Sequence, residues 1–245
     1  MANVFEEKNI PKAILSIGIP AMLGQLTTLI YNLADTYFVS LTKIPAQIAA
    51  VTLCVPALLI IMSIACIFGM GASSVIARQI GKGRKEESAQ CFHFSTYAMV
   101  FSGILVLVLG LLFTRPIASL LGADTENMNY TCDYLRWIFI GAPAIMLSNG
   151  LVHSFRSVGL VREATIGLAL GNAVSILLDW IFIVLMNMGT KGAALATSVG
   201  FICAAVYYLA CLLIQERKNN QLISVSPSMT MYSVSSPGKL VKSSC

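Results

Sequence analysis

Long stretches without a charged side chain make up most of this chain. They run over residues 13–34, 44–77, 88–114, 137–155, 164–190 and 192–215; the first continues past Asp35 to Thr42, and Asp179 alone interrupts the fifth. Each approaches or exceeds the roughly 20 residues that an α-helix needs to cross a bilayer. Because these runs are continuous rather than alternating, they favour helices over a β-barrel. The pattern predicts six transmembrane helices.

Composition supports a membrane-embedded chain. Hydrophobic residues make up 57% of the 245 positions, charged residues only 11%, and the mean hydropathy is +0.80. Soluble domains carry about 25% charged residues, so this chain cannot cover a water-facing surface. The 16 Lys and Arg residues form no basic stripe, which excludes nucleic-acid binding. The sequence therefore predicts an all-α integral membrane protein.

Basic residues set the expected orientation. With six spans, the N-terminus, the loops after the second and fourth spans and the C-terminal tail share one side, which holds 12 Lys and Arg residues. The opposite side holds only Lys43, Arg115 and Lys191, and Arg136 is counted on neither side. This positive-inside bias predicts a multi-pass protein of the cell membrane with both termini in the cytoplasm.

The chain divides into three expected segments. Residues 1–12 form a cytoplasmic N-terminal arm, residues 13–215 the six-helix transmembrane domain, and residues 216–245 a cytoplasmic tail. The last 30 residues include eight serines and no span-length apolar run. This composition fits either a disordered tail or a linker to a further domain.

Motifs for metal binding or catalysis are absent from the sequence. None of the seven cysteines forms a CxxC pair, and neither histidine stands at metal-ligand spacing from a cysteine. The cysteines are therefore expected to behave as small hydrophobic residues. Hydrolase, metalloprotease and nucleotide-binding signatures are missing as well. We expect a non-enzyme without a cofactor, in which any transport would use an ion gradient.

Two acidic residues lie inside predicted spans, where ionisable groups are costly and usually face a cavity or a partner. Asp35, in the first span, precedes Lys43 by eight residues, and Asp179, in the fifth, precedes Lys191 by 12. Both carboxyl groups are thus expected at a similar depth in the outer half of the membrane. They form either a proton or cation site coupled to solute movement, or two solvated or paired interfacial aspartates.

Polar residues accompany both aspartates at helical spacing. Together they predict two polar stripes that line one aqueous cavity. The stripes consist of Thr28, Tyr31 and Asn32 beside Asp35, and of Asn172 and Ser175 beside Asp179.

Two further polar residues have open interpretations. Asn149 in the fourth span either hydrogen-bonds across the bundle at a site or simply joins two helices. Thr197 belongs to a run of small residues, from Gly192 to Gly200, that predicts close helix packing, and it is either a ligand or part of that packing.

Several segments, in their order and spacing, resemble the multidrug and toxic compound extrusion (MATE) family. Residues 19–39 resemble its first helix and residues 71–83 its loop between helices 2 and 3. Phe155–Gly159 resembles the segment after helix 4, and residues 177–179 and 192–197 resemble helices 5 and 6. The likeness covers nearly the whole chain but only half of the family's length, and residues 221–245 resemble the linker before helix 7.

The resemblance implies the N-lobe of a twelve-helix antiporter that exports cationic drugs in exchange for protons or sodium ions. Asp35 and Asp179 match the family's cation-coupling aspartates, and Tyr31, Asn149 and Thr197 match polar partners in the same cavity. Ser175 departs from the pattern, since many relatives have asparagine there. The implied partners are membrane lipid, drug substrates and a second six-helix lobe, either in the same polypeptide or in a second chain.

Two alternatives remain open. A lipid-linked precursor flippase of the same superfamily would use the same fold, although such relatives typically line the cavity with basic residues and the spans here contain none. A non-transporting membrane fragment, active only after assembly with a partner lobe, is the other.

Overall fold

The structure, a computed structural model, describes residues 10–217 as a bundle of helices without strands in that range. Six helices are long, and a seventh, α4, is a short segment after α3. Their bounds are α1 Ile10–Ser40, α2 Pro45–Gly81, α3 Lys85–Leu112, α4 Thr114–Leu120, α5 Met128–Ser157, α6 Val161–Asp179 and α7 Thr190–Arg217. A π-helical turn, Trp180–Leu185, continues α6.

The outside of the bundle is apolar. Met22, Ile67 and Phe101 are each about 70% exposed, at 73%, 69% and 72%. Within residues 10–217, five helices are long and apolar enough to cross a membrane: α2, α3, α5, α6 with its π-helical turn, and α7. A surface of this kind is stable against lipid rather than water. The chain is therefore a multi-pass membrane protein.

The long helices follow the six predicted spans, with three differences. Helix α1, with 31 residues, is long enough to span but carries polar residues along its second half. Helix α5 begins nine residues before the predicted start at Trp137, and the short helix α4 was not predicted. The N-terminal arm and the tail lie almost wholly outside the described residues, at 1–9 and 218–245.

Helix α5 is the central element. In its most apolar stretch, 72% of the residues are buried, whereas the corresponding share is 22% in α2 and α3 and 39% in α7. It packs against α2, α3 and α7, while α6 packs on α7 and α1 packs mainly on α6. A helix surrounded by protein needs no lipid-facing apolar side, which explains why α5 tolerates polar residues along its length.

Small residues allow the helices around α5 to approach closely. A Cβ at Gly69 of α2 would lie 2.8 Å from the carbonyl oxygen of Gly150 in α5. At the crossing of α6 and α7, a Cβ at Gly200 would lie 2.8 Å from the carbonyl oxygen of Gly171 and would overlap the hydroxyl of Ser175. The predicted role of the small residues in the last span is confirmed at this crossing.

Polar contacts connect the helices at both ends of the bundle. Ser198 in α7 donates a 2.9 Å hydrogen bond to the carbonyl oxygen of Trp137, and Tyr208 donates a 2.8 Å bond to that of Ala164 in α6. At the predicted outer end, Lys191 Nζ lies 3.2 Å from Asp133 Oδ2. This ion pair joins α7 to the early part of α5.

A bulky side chain at the α6–α7 crossing is expected to destabilise the bundle. Gly200→Leu forces Ser175 and the backbone of Gly171 apart, which should lower the free energy of unfolding by about 1–3 kcal/mol. Thermal unfolding in detergent measures the effect. The matched control is Gly71→Leu in α2, because an added Cβ there meets nothing within 4 Å. Equal melting temperatures for the two variants would contradict the tight crossing.

Candidate functional site

The site is built around a hydrogen bond between α1 and α7. The hydroxyl groups of Tyr31 and Thr197 lie 2.9 Å apart, and both side chains are buried. Thr197 belongs to the small-residue run at the start of α7. The contact ties the middle of α1 to α7.

A second polar contact lies nearer the N-terminus of α1. The amide nitrogen of Asn172 in α6 donates to the hydroxyls of Thr27 and Thr28, at 3.3 Å and 3.2 Å. Both threonines in turn donate to the carbonyl oxygen of Gly24 in their own helix. Their hydroxyl oxygens are therefore oriented to accept from Asn172.

Between these contacts lies a small cavity. It encloses about 10 Å3, roughly the room for one water molecule. Four of the predicted residues line it: Tyr31, Asn149, Asn172 and Ser175. The amide nitrogen of Asn149 donates a 2.8 Å hydrogen bond to the carbonyl oxygen of Ile145 in its own helix, which leaves its amide oxygen available as an acceptor. Residues of the polar stripes of α1 and α6 thus lie around one cavity, which is far narrower than an open aqueous chamber.

The two aspartates lie beside this cavity rather than on its wall. Asp179, the last residue of α6, is fully buried, and neither of its carboxyl oxygens has a hydrogen-bond partner. Asp35 is half-buried, and its Oδ1 is buried and likewise without a partner. Their charges are close enough to interact with each other and with Tyr31. The sequence predicts the two carboxyl groups at a similar depth in the membrane, and the structure places them near each other.

Sequence reasoning missed Tyr134 of α5. This tyrosine is 2% exposed and lies within electrostatic range of Asp35, Asp179 and Tyr31. Because Asp133 and Arg136 are charged, the uncharged run begins only at Trp137, and Tyr134 lies outside the predicted span. Tyr134 lies only three residues before Trp137, so a span extended by one helical turn toward the N-terminus would include it.

The structure does not place Asn32 in the cavity. Asn32 is exposed, and its carbonyl oxygen accepts from Thr36 in the next turn. Asn32 lies away from this cavity because Tyr31 and Asn32 point about 100° apart around the helix, since one turn takes 3.6 residues. Only Tyr31 turns toward α6 and α7.

Cation ligands at this site would come from oxygen atoms alone. Within the described range, no group of three or more His, Cys, Asp or Glu side chains could hold a metal ion. The carboxyl oxygens of Asp35 and Asp179 and the hydroxyls of Tyr31 and Thr197 are hard donor atoms, of the kind that bind cations such as Ca²⁺ and Mg²⁺.

Fold and site together define a multi-pass membrane protein that carries a buried aspartate, Asp179, near a half-buried one, Asp35, where α1 meets α6. The MatE family model matches residues 20–181. The chain therefore belongs to the MatE family, which confirms the resemblance found in its sequence.

Relatives and solved structures agree with this assignment. The chain is 31% identical over 222 residues to the multidrug export protein MepA of Staphylococcus aureus (strain MRSA252), covering 91% of this chain and 48% of the relative. It is 32% identical over 218 residues to MepA of Staphylococcus haemolyticus (strain JCSC1435), covering 89% of this chain and 48% of that protein. The chain spans about half the length of the curated relatives it matches.

The structural neighbours are transporters. A MOP superfamily transporter from Pyrococcus furiosus, described with a binding pocket of reversed polarity, superposes with a TM-score of 0.82 at 29% identity, over 89% of this chain and 47% of that one. An outward-facing multidrug resistance MATE family transporter gives 0.81 at 30% identity, over 89% and 49%. The described helices therefore have the N-lobe-like fold of a MATE transporter.

Loss of the α1–α7 hydrogen bond is expected to weaken the bundle modestly. Tyr31→Phe should lower the free energy of unfolding by about 1 kcal/mol, because Thr197 loses its buried partner. Tyr37→Phe is the matched control, since Tyr37 is 60% exposed on the same helix. In Tyr31→Phe with Thr197→Val, the two losses should be less than additive when measured by chemical unfolding. Full additivity would show that the two hydroxyls do not interact.

Proposed function

We propose that the chain is the N-terminal half of a multidrug efflux antiporter that exports cationic or amphipathic drugs in exchange for protons or sodium ions. Two observations support this proposal: membership of the MatE family, and similarity to relatives named multidrug export proteins. The second six-helix lobe lies either in the same polypeptide or in a second chain.

The unpartnered carboxyl group of Asp179 is the observation that carries the proposal. A buried charge without a partner costs several kcal/mol, roughly, so such a group is stable only when a proton or a cation accompanies it. Asp35 lies near enough for its charge to oppose that of Asp179. Ion entry removes both costs at once, which makes ion occupancy the natural switch of the site.

The coupling route passes through α1. Tyr31 is hydrogen-bonded to Thr197 on α7 and lies near both aspartates. A change in ion occupancy therefore alters how α1 packs on α6 and α7. Proline at position 20 removes one backbone hydrogen bond of α1 and gives the helix a place to bend. In a two-state transporter, such a bend shifts the balance between drug-bound and ion-bound conformations.

The drug itself does not fit into the cavity of this half in the conformation described. A space of about 10 Å3 holds a water molecule, whereas ligand pockets typically measure about 300–1,000 Å3. Drug binding therefore requires either movement of α1 or walls that the second lobe supplies.

Neutralising either aspartate in the complete transporter is expected to abolish exchange. Asp35→Asn and Asp179→Asn keep the shape of the side chain but remove the charge that holds the ion. Ion-driven uptake of a fluorescent cationic dye into inverted vesicles should fall to the level of vesicles that lack the transporter. The matched control is Asp124→Asn, in the exposed loop between α4 and α5, which should transport normally.

Undiminished exchange in both aspartate variants would overturn the coupling role of the pair. Absence of dye transport by the unaltered protein, together with accumulation of lipid-linked precursors in a deletion strain, would instead identify a flippase. Replacing protons by sodium ions in the imposed gradient determines which ion drives the exchange.

A further inference from the structure

A thiol and an imidazole meet between α2 and α5, outside the aspartate site. Cys66 Sγ lies 3.8 Å from His153 Nε2, and both side chains are half-buried. The two residues stand 87 positions apart in the sequence, so no metal-ligand spacing along the chain indicates them. Each lies three residues from the glycine, Gly69 or Gly150, at which the two helices cross. The close approach of α2 and α5 therefore brings two metal-binding side chains together.

The separation of these two atoms suits a metal ion held between them. With the bond lengths typical of zinc sites, about 2.3 Å to sulfur and about 2.1 Å to nitrogen, a separation of 3.8 Å corresponds to an angle of about 120° at the ion. This angle is that of a trigonal, three-coordinate site. Cys66 and His153 can therefore occupy two of its three positions as they stand.

Met70 is placed to supply the third ligand. It follows Cys66 by four residues on α2, so the two side chains lie on one face of the helix, one turn apart. Long side chains in a helix lean back over the preceding turn, and the thioether of Met70 thus leans toward Cys66. Because the Met70 side chain is 57% exposed, it can turn toward an ion without disturbing the core.

Thiolate, thioether and imidazole form a soft ligand set. Sulfur ligands of this kind select copper(I) and related ions, whereas calcium and magnesium require oxygen. Among residues 10–217, no group of three or more His, Cys, Asp or Glu side chains could hold a metal ion, so a third ligand must be of another type. Arg156 is near enough to His153 for its positive charge to oppose a divalent ion. A monovalent ion bound to a thiolate forms a neutral unit, which suits the depth of Cys66 in its span.

We propose that Cys66, His153 and Met70 form a binding site for a soft monovalent metal ion of the copper(I) and silver(I) class. On binding, Cys66 Sγ releases its proton to solvent and bonds to the ion, while His153 Nε2 and the Met70 thioether each donate a lone pair. The ion keeps its oxidation state, so no oxidant or reductant takes part. An occupied site would join α2 to α5 beside their glycine crossing, whatever solute the transporter exports.

Native mass spectrometry of the purified chain in chloride-free detergent solution tests the site, with silver(I) as the probe. Cys66→Ser should lose the most tightly bound ion. His153→Gln should weaken its binding at least tenfold, because even outer-shell partners of a metal site change affinity by about 10- to 100-fold. The matched control is Cys203→Ser, which removes a free, half-buried thiol of α7 and should leave the tightest binding unchanged.

Two methionine variants test the third ligand. Met70→Leu should weaken silver binding severalfold, whereas Met62→Leu, four residues on the other side of Cys66, should not, because the Met62 side chain leans away from the site. An unchanged affinity in Met70→Leu would overturn the three-ligand site. Equal losses in Cys66→Ser and Cys203→Ser would overturn the whole proposal, and tighter binding of zinc than of silver would overturn the monovalent assignment.

Thiol labelling of the unaltered chain gives a readout that does not depend on the folding of any variant. Silver(I) should protect Cys66 from a maleimide, as located by peptide mapping, at concentrations at least tenfold below those that protect Cys203. This difference should disappear in His153→Gln. Protection of both thiols at the same silver concentration in the unaltered chain would show a general reaction of silver with thiols and would overturn the proposal.

Discussion

The burial of α5 is the constraint on which the rest of the structure depends. With protein on nearly every side, this helix is shielded from lipid and can carry Tyr134, Ser148 and Asn149 without exposing them to hydrocarbon. Its glycines bring α2 and α7 close enough to close the bundle. The polar cavity forms where these inward-facing groups meet α6 and α7, so the site exists because its central helix is not a lipid-facing one.

Helix α1 is held differently from the others. It packs mainly on α6, and its specific contacts are the hydrogen bonds of Tyr31, Thr27 and Thr28, together with a 3.0 Å bond from Thr165 to the carbonyl oxygen of Pro20. Elements with few buried apolar contacts are the ones that move at low cost. Helix α1, which carries Asp35, is therefore expected to move at a lower cost than α5.

Much of the fold could be read from charge placement, because charged residues mark where helices leave the membrane. The rule failed where charged residues lie inside a helix. Asp133 and Arg136 lie within the first part of α5 rather than before it, and Asp133 Oδ1 is 3.8 Å from Arg136 Nη1. Helical spacing located Tyr31, Asn172 and Ser175 but not the direction in which Asn32 points, since that depends on which helix packs beside α1. The π-helical turn after Asp179 has no signal in the apolar pattern, because a change of hydrogen-bond register leaves composition untouched.

In the proposed transporter, the volume that each ligand needs decides whether one lobe or both lobes bind it. Under the proposed function, ion binding needs only a few oxygen atoms, and this lobe offers them at Asp35, Asp179 and the Tyr31–Thr197 pair, beside the water-sized cavity. Drug binding needs a chamber tens of times larger, which a bundle packed around α5 cannot open without breaking its glycine crossings. The surface that can move is the face carried by α1. The proposed drug chamber therefore forms most economically between two lobes, with the proposed ion site of this lobe beside one of its walls.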